Sequence, residues 1–198
     1  MLDSNNRPFL TFATSNNNKF CEIKSLFDQT SIQLKHLNTT DIRILEIQST
    51  NLEEIAIFAL KSCIQYFNID LIFVEDSGIF IKELNNFPGP YSSYVLETIG
   101  LKGILTLMSD ITDRKAFFQS SIAIKIRKEI KTFSGVVEGE ISTKISRSGW
   151  GYDPIFIPES NGVYTFGELG SQKLKISHRF QATAKLIDYL KDSVLLVD

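Results

Sequence analysis

The sequence is short of the residues that build disulfide or metal-thiolate frameworks. Its 198 residues include two histidines and two cysteines, and Cys21 and Cys63 form no C-x-x-C pair. These small numbers argue against a structural zinc site. We predict that both cysteines are reduced residues of the core, which is typical of a cytoplasmic protein.

An excess of charge of one sign and long hydrophobic runs are also lacking. The chain has 21 lysines and arginines against 23 acidic residues, so no broad basic surface for nucleic acid is indicated. No apolar run is long enough to span a bilayer, and the first residues lack the hydrophobic segment of a signal peptide. We expect a cytoplasmic protein that binds neither nucleic acid nor membranes. A small phosphorylated ligand would need only a local group of cations.

The composition that is present is that of an ordinary globular protein. Hydrophobic residues make up 43% and charged residues 22% of the chain. The length suffices for one sizeable domain, with or without a division into two lobes. We predict a single domain over residues 1–198.

Hydrophobic periodicity predicts strands and helices that alternate in the first third of the chain, which indicates an α/β architecture. Two longer strands then form a hairpin, and an amphipathic helix closes the chain. The predicted strands are residues 8–14, 31–37, 71–76, 116–127 and 131–142. The predicted helices are residues 15–27, 51–67, 100–110 and 178–192.

The stretch LIFVEDSGIF, residues 71–80, carries two acids at the end of an apolar run. A carboxylate costs several kcal/mol to remove from water unless a cation meets it. The simpler interpretation is a strand that ends at Glu75 and Asp76 in a solvated turn and bends at Gly78. The alternative is a strand that carries an acid to a ligand.

The segment ATSNNNK, residues 13–19, joins a predicted strand to a predicted helix. Backbone N–H groups at a helix N-terminus attract anions, and Lys19 adds a positive charge there. The Walker pattern GxxxxGK[ST] is absent. Phosphate binding therefore competes with a simple asparagine-rich helix cap.

Two further polar segments are ambiguous by themselves. Glu46, in RILEIQST (43–50), is either a solvated acid or a metal ligand. In NNFPGPYSSY (85–94), the prolines and glycine at 88–90 force a rigid turn. Such a turn either simply connects two elements or holds the backbone close to a ligand.

The segment RSGWGYDPIF, residues 147–156, contains the only tryptophan of the chain, Trp150, between two glycines. One interpretation is a capped turn with buried aromatic residues. The other is an aromatic face for a nucleobase, with Asp153 placed to accept a hydrogen bond.

The segment QKLKISHRF, residues 172–180, places several cationic or donor side chains near the start of the last predicted helix. Cations at a helix N-terminus oppose the helix dipole, so either an anion lies between them or the cap is solvated. Together, the polar segments stand at the ends of apolar elements, where ligands of open α/β sheets gather. Carboxylates and cations in these positions suit triphosphate and Mg²⁺ chemistry.

In this order, the motifs closely resemble the inosine-triphosphate pyrophosphatase family. The matching motifs are ATSNNNK, LEIQ, VEDSGIF with FPGPYS, GWGYDPIF, and TFGEL followed by KISHRFQA. The resemblance implies a long, twisted, mixed sheet flanked by helices, in one two-lobed domain with a central active-site cleft. It also implies a homodimer that uses Mg²⁺ to hydrolyse non-standard purine nucleoside triphosphates (ITP, dITP and XTP) to the monophosphate and pyrophosphate.

The resemblance implies roles for residues at matching positions. Asp76 matches the catalytic acid that binds the metal and accepts a proton, and Glu46 matches the other metal ligand. Residues 14–19 match a phosphate-binding turn, and residues 150–153 match a base-binding turn. The residues matched to substrate contacts are Thr14, Ser15, Asn16, Asn17, Asn18, Lys19, Lys61, Ser77, Trp150, Gly151, Tyr152, Asp153, Lys173, His178 and Arg179.

Three positions depart from the common family pattern. Ser15 stands where glycine is frequent, so we expect a less open turn there. Ser93 stands where a basic residue is frequent, so one phosphate contact is expected to be missing or to come from elsewhere. Trp150 replaces a common phenylalanine, an exchange that should preserve stacking.

These assignments predict how the chain would work. Asp76 would accept a proton from the water that attacks the α-phosphorus, and Lys19 would stabilise the leaving pyrophosphate. His178 and Arg179 would donate to the purine 6-oxygen and would suit an adenine amine poorly. The alternatives are a related pyrophosphatase with another base preference, or a nucleotide-binding module that does not hydrolyse its ligand. We find no exposed amphipathic segment or tail that would favour a non-enzymatic interaction protein.

Overall fold

A computed structural model describes residues 9–42, 44–45 and 47–192 of the chain. Within them, strands and helices alternate as far as the third strand, as predicted. The strands are β1 (Phe9–Thr14), β2 (Gln33–Asn38), β3 (Leu71–Ile81), β4 (Phe87–Gly89), β5 (Lys115–Ile126), β6 (Glu129–Ile141) and β7 (Phe156–Pro158). The helices are α1 (Asn17–Phe27), α2 (Leu52–Tyr66), α3 (Ser92–Thr98), α4 (Gly100–Leu107), α5 (Phe166–Leu169) and α6 (His178–Asp192). Short 3-10 helices span Lys82–Leu84, Asp153–Ile155 and Gly170–Lys175.

The strands described form one mixed sheet. Their order is β2-β1-β3-β5-β6-β7, and β4 pairs with β3. β1 runs parallel to β2 and β3, whereas β4 is antiparallel to β3 and β7 is antiparallel to β6. Strands β5 and β6 form the predicted hairpin through a two-residue connection that contains Arg127 in a left-handed conformation (φ 56°). The predicted mixed α/β fold is confirmed.

The chain divides into two compact units, each assembled from separate segments. The first unit comprises Met1–Asp76, Ser120–Gly135 and Arg179–Asp198, and the second comprises Ser77–Gln119 and Val136–His178. The predictions of a single domain over residues 1–198 and of a central cleft remain predictions.

The first unit has an aromatic and aliphatic core on β1 and β3. The rings of Phe12 and Phe73 stack with centroids 4.6 Å apart, and both side chains are fully buried. Helices α1 and α6 pack on this cluster through Phe27 and Leu186. Burial of each such side chain contributes about 1.5–3 kcal/mol, which holds the strand ends and helix starts in place.

The second unit is built around the aromatic rings of Phe118, Phe156 and Phe166. Phe118 meets Phe156 edge to face at 4.8 Å, and Phe156 lies 5.0 Å from Phe166. Ile79 and Ile104 extend the same cluster and are completely buried. This core supports the segment that carries the only tryptophan.

Strand β3 does not end at Asp76, so the predicted turn and the bend at Gly78 are wrong. The strand continues to Ile81 because β4 pairs with it, with Ile79 opposite Gly89. The Ile79 N–H donates to the buried Ser92 Oγ at 2.9 Å. A Cβ on Gly78 would lie 2.3 Å from the Gly89 carbonyl oxygen, so glycine is required by close approach of backbone.

The cysteine prediction holds for one residue of the two. Cys63 is fully buried on α2, and burial raises the pKa of its thiol to about 11. Cys21 is exposed, because α1 turns Ile23 and Phe27 towards the core and leaves Cys21 on another face. Both cysteines are free of disulfide bonds.

Four short elements, β4, α3, β7 and α5, are not predicted by the sequence pattern. Each has seven residues or fewer, which is too short for periodicity to be recognised. None of the helices in the described ranges is both long enough and apolar enough to cross a bilayer.

Candidate functional site

The asparagine-rich turn before α1 is a helix cap. The Asn16 Oδ1 accepts hydrogen bonds from the backbone N–H groups of Asn18 (3.0 Å) and Lys19 (3.1 Å). The Asn16 N–H in turn donates to Thr14 Oγ1 at 3.1 Å. An anion at this helix start would therefore compete with the Asn16 side chain for these two donors. Ser15, Asn17 and Asn18 are exposed, and the phosphate-binding role of the turn stays a prediction.

Lys19 points its ammonium at the two acids of β3. Its Nζ lies 2.9 Å from Glu75 Oε2 and 3.3 Å from the Glu75 carbonyl oxygen. The Asp76 Oδ1 is farther away, at 4.0 Å. The structure thus brings together Lys19 and Asp76, as the predicted site requires.

Glu75 lies at the centre of a buried polar network in the first unit. Its side chain is fully buried, and its Oε1 accepts hydrogen bonds from Ser120 Oγ (2.6 Å) and Arg179 Nε (3.2 Å). Burial by itself would raise the pKa of this carboxyl, but Arg179, Lys19 and the Ser120 hydroxyl outweigh it and lower the pKa to about 2. Glu75 is therefore ionised at neutral pH.

Sequence analysis missed Glu75 as a functional residue. The one local signal was the unbroken apolar run before Glu75, which indicates burial but not the partners that a buried acid meets. An acid that falls on the buried face of a strand needs cationic partners. Those partners lie far along the chain and are not indicated by the stretch itself.

Arg179, in the first turn of α6, joins two carboxylates. Its Nη1 donates to Glu22 Oε2 at 2.6 Å, and its Nε binds Glu75 as described. The Arg179 side chain is only 3% exposed, and Glu22 comes from α1. Arg179 therefore ties α6 to both α1 and β3, a role that the sequence prediction did not include.

Asp76 is the most exposed of the three carboxylates, with a side chain 25% exposed against 12% for Glu22 and 0% for Glu75. A partly hydrated carboxylate oxygen suits Mg²⁺, which keeps several of its waters when protein-bound. Glu75 does not fit that role, because its oxygens meet Lys19, Ser120 and Arg179. Glu46, the other predicted ligand, lies outside the described residues. Among those described, no group of three or more His, Cys, Asp or Glu side chains could hold a metal ion.

The structure also describes two further predicted site residues, Lys61 and Ser77. Lys61 is exposed on α2, and Ser77 is partly exposed in β3 directly after Asp76. Their substrate contacts remain predictions.

The second unit carries a buried ion pair beside the tryptophan. Lys173 Nζ lies 2.7 Å from Asp153 Oδ2, with the two side chains 5% and 6% exposed. The same ammonium stands 4.9 Å from the Trp150 ring centroid and 5.7 Å from that of Phe166. Cation–π attraction therefore adds to the ion pair and holds Lys173 against the partly exposed indole.

The turn around Trp150 is fixed by hydrogen bonding and by close backbone contact. The buried Tyr152 hydroxyl donates to the Ser92 carbonyl oxygen at 2.8 Å, and burial raises the pKa of Tyr152 well above its usual value. A Cβ on Gly167 would lie 1.9 Å from the Ser148 carbonyl oxygen, so α5 packs directly on the turn. Tyr152 holds α3, and its predicted contact with substrate, like that of Gly151, stays a prediction.

His178 is held by aromatic rings. It is 2% exposed, and its imidazole stacks on Phe118 with centroids 4.4 Å apart and planes 5° from parallel. Phe166 lies on the same cluster at 6.5 Å. These two phenylalanines fix the ring plane of His178, and sequence analysis did not single them out because apolar residues in strands and helices carry no local sign of such a role.

The chain matches a protein-family model and many curated relatives. The model described as the Ham1 family matches residues 10–189. A protein named dITP/XTP pyrophosphatase from Saccharolobus solfataricus is 46% identical over 180 residues, which cover 90% of this chain and 91% of that protein. A protein of the same name from Pyrococcus horikoshii is 42% identical over 185 residues, covering 91% and 95% of the two chains.

Solved structures show the same fold. A HAM1 protein from Coxiella burnetii superposes with a TM-score of 0.79 at 28% identity, covering 94% of this chain and all of that one. The Ham1 protein of Staphylococcus aureus gives a TM-score of 0.76 at 28% identity, with coverage of 92% and 98%.

Proposed function

Because this chain belongs to the Ham1 family, we propose that it hydrolyses non-standard purine nucleoside triphosphates, with dITP, ITP and XTP as substrates. The products are the nucleoside monophosphate and pyrophosphate. The observation that carries most weight is the 46% identity, over 90% of the chain, to a protein named dITP/XTP pyrophosphatase. The structure supports this with a partly exposed carboxylate on Asp76 and an ammonium on Lys19 only 4.0 Å away.

The proposed reaction is an in-line displacement by water. The oxygen of water bonds to the α-phosphorus, and the bond from that phosphorus to the α–β bridging oxygen breaks and releases pyrophosphate. Asp76 takes the proton that the attacking water loses. Lys19 stabilises negative charge that develops on the phosphate oxygens.

We propose that Asp76 and Glu46 hold Mg²⁺. The ion would supply Lewis-acid stabilisation of the phosphate charges when bound. Asp76 fits as a ligand by its oxygen chemistry and its partial exposure.

Base recognition is assigned to Trp150, Asp153, Lys173, His178 and Arg179. The indole offers a stacking face, and the imidazole and guanidinium donate to an oxygen at position 6 of the purine. An adenine amine there would offer no acceptor to these donors, a mismatch that can cost factors of about 10⁴ in kcat/KM. The buried Asp153–Lys173 ion pair supports the proposal, because its ammonium stands against the indole that is assigned to stacking.

The same proposal includes the identity of the metal, the oligomeric state and the location of the protein. The metal is Mg²⁺, the protein works as a homodimer, and it acts in the cytoplasm. They rest on the family resemblance and, for the cytoplasm, on two free cysteines.

The proposal is tested by measuring pyrophosphate release from ITP, XTP, dITP, GTP, ATP and dUTP with Mg²⁺, and again with EDTA. We expect release from ITP, XTP and dITP that EDTA abolishes, with little release from ATP and GTP. Release mainly from dUTP would replace the assigned base preference but keep the reaction. Nucleotide binding without release from any of the six would favour a non-hydrolysing module and overturn the proposed activity.

A further inference from the structure

We propose that Glu75 is a positioning residue for this reaction, acting through Lys19. Its buried carboxylate fixes the Lys19 ammonium beside Asp76 and prevents that ammonium from closing on Asp76. Because the catalytic meaning rests on the proposed function, the test below includes a measurement that does not depend on turnover.

The Glu75 carboxylate is held at both oxygens. Oε1 accepts from Ser120 Oγ at 2.6 Å and from Arg179 Nε at 3.2 Å, while Oε2 meets Lys19 Nζ at 2.9 Å. Ser120 is completely buried in β5, and Arg179 is anchored at its far end by Glu22. Rotation of the carboxylate would break the hydrogen bonds at Oε1 and the ion pair at Oε2. The position of the negative charge that Lys19 meets is therefore fixed.

The negative charge of Glu75 is needed to compensate two poorly hydrated cations, Lys19 and Arg179. The Lys19 and Arg179 side chains are 16% and 3% exposed, so neither cation is well hydrated. Burial of an ionised group is strongly unfavourable unless an opposite charge and hydrogen bonds compensate. The Glu75 carboxylate contacts both cations. Without its charge, Lys19 would be attracted to Asp76 and Arg179 to Glu22.

For Lys19 the other nearby carboxylate is Asp76. The ammonium is 2.9 Å from Glu75 Oε2 but 4.0 Å from Asp76 Oδ1. At the shorter distance the Coulomb attraction is stronger, so Glu75 holds Lys19 just outside direct hydrogen-bond contact with Asp76. Loss of the Glu75 charge would let Lys19 pair with Asp76 and mask the group assigned to accept the proton.

The experiment compares Glu75→Gln with Ser120→Ala and the unchanged protein. Glutamine keeps the shape of the side chain and can still accept from Ser120, but it carries no charge. Ser120→Ala keeps the Glu75 charge and removes one of the two hydrogen bonds that Oε1 accepts. Both are assayed for kcat and KM with dITP and Mg²⁺, and both are labelled with succinimidyl acetate and digested with a protease that does not cut at lysine.

The labelling readout is the ratio of Lys19 to Lys24 acetylation. Lys24 lies on the same helix, pairs with Asp28 at 2.6 Å and is 46% exposed. Unfolding of α1 would therefore change the acetylation of Lys24 as well as that of Lys19. Lys19 is 16% exposed. Asp76 is 25% exposed whereas Glu75 is fully buried, so transfer of Lys19 from Glu75 to Asp76 exposes its ammonium. The ratio should then rise by up to about threefold, the factor between the exposed fractions of Lys24 and Lys19.

We expect Glu75→Gln to lower kcat by about tenfold or more with KM changed less than about threefold, since an interaction used in the transition state is lost. The Lys19 to Lys24 ratio should rise, and Ser120→Ala should show both changes in smaller measure. A folded Glu75→Gln protein with an unchanged ratio or an unchanged kcat overturns the positioning role. If Glu75→Gln does not fold, Ser120→Ala decides by the same two readouts. If the unchanged protein releases no pyrophosphate, the proposed function fails, and the labelling ratio alone decides whether Glu75 positions Lys19.

Discussion

Two adjacent acids on one strand have opposite environments and, by our assignment, different tasks. Glu75 is fully buried among cations and has a pKa near 2, whereas the Asp76 side chain is 25% exposed. Glu75 is the last residue of the buried run that opens β3, and Asp76 is the first partly exposed residue of that strand. Glu75 is therefore a fixed structural charge, and Asp76 is the more exposed carboxylate, to which we assign the proton transfer.

At this scale we predict that Asp76→Asn lowers kcat for pyrophosphate release by about 100-fold or more, the range expected when a general base is lost. Folding should be retained because the side chain is not part of the core. The measurement is steady-state turnover of dITP together with thermal unfolding.

Asp70→Asn is the matched control, since Asp70 is an exposed acid just before β3 and undergoes the same chemical change. Its kcat should equal that of the unchanged protein. Full activity of Asp76→Asn would remove Asp76 from the mechanism.

The sequence allowed Asp76 to be selected but not Glu75. Asp76 stands in a recognisable motif, whereas the importance of Glu75 depends on Lys19, Ser120 and Arg179, which lie 56, 45 and 104 residues away. Local patterns report strand parity and burial. They do not report which distant cations meet a buried acid.

Among the elements that the sequence predicts, β3 is the one whose observed limits differ most from the prediction. Acids and glycine at 75–78 indicate a strand end, but pairing with β4 overrides that local preference and extends the strand to Ile81. The other long elements were predicted because each has an apolar face or run of its own. Their limits shift by a few residues where capping residues such as Asn16 and Asn51 set the helix start.

We predict that Gly78→Ala destabilises the protein by at least about 2 kcal/mol, the scale of an overpacked core. The added Cβ would stand 2.3 Å from the Gly89 carbonyl oxygen, and backbone on β4 would have to move. Chemical denaturation would measure the change in the free energy of unfolding.

The control is Gly100→Ala, where a Cβ meets nothing within 4 Å but φ is +64°. That change should cost only about 1–2 kcal/mol, from the left-handed backbone. A Gly78→Ala protein as stable as the parent would show that β3 and β4 do not approach so closely in solution.

On the scale of the whole molecule, the proposed homodimer needs an apolar surface. Several large hydrophobic residues of the second unit are exposed between residues 87 and 107, among them Tyr91 (44%), Tyr94 (68%) and Ile99 (44%). Tyr91 and Tyr94 are three residues apart at the start of α3, so they share a face. This face is our choice for contact with a second copy of the chain.

We predict that Tyr94→Glu converts a dimer to a monomer, because a charge replaces a large apolar side chain that the contact would bury. Light scattering after gel filtration measures the mass in solution. Tyr164→Glu is the control, since Tyr164 is also exposed (54%) but lies before α5. A dimer that survives Tyr94→Glu, or one lost equally in both variants, would exclude this face.

The segments of the two compact units alternate along the chain, which limits how either unit could be exchanged by recombination. Four points of the chain, after residues 76, 119, 135 and 178, pass from one unit to the other. No single crossover between genes could therefore exchange either unit whole. Exchange of either unit as a whole would need a crossover at each of these four points.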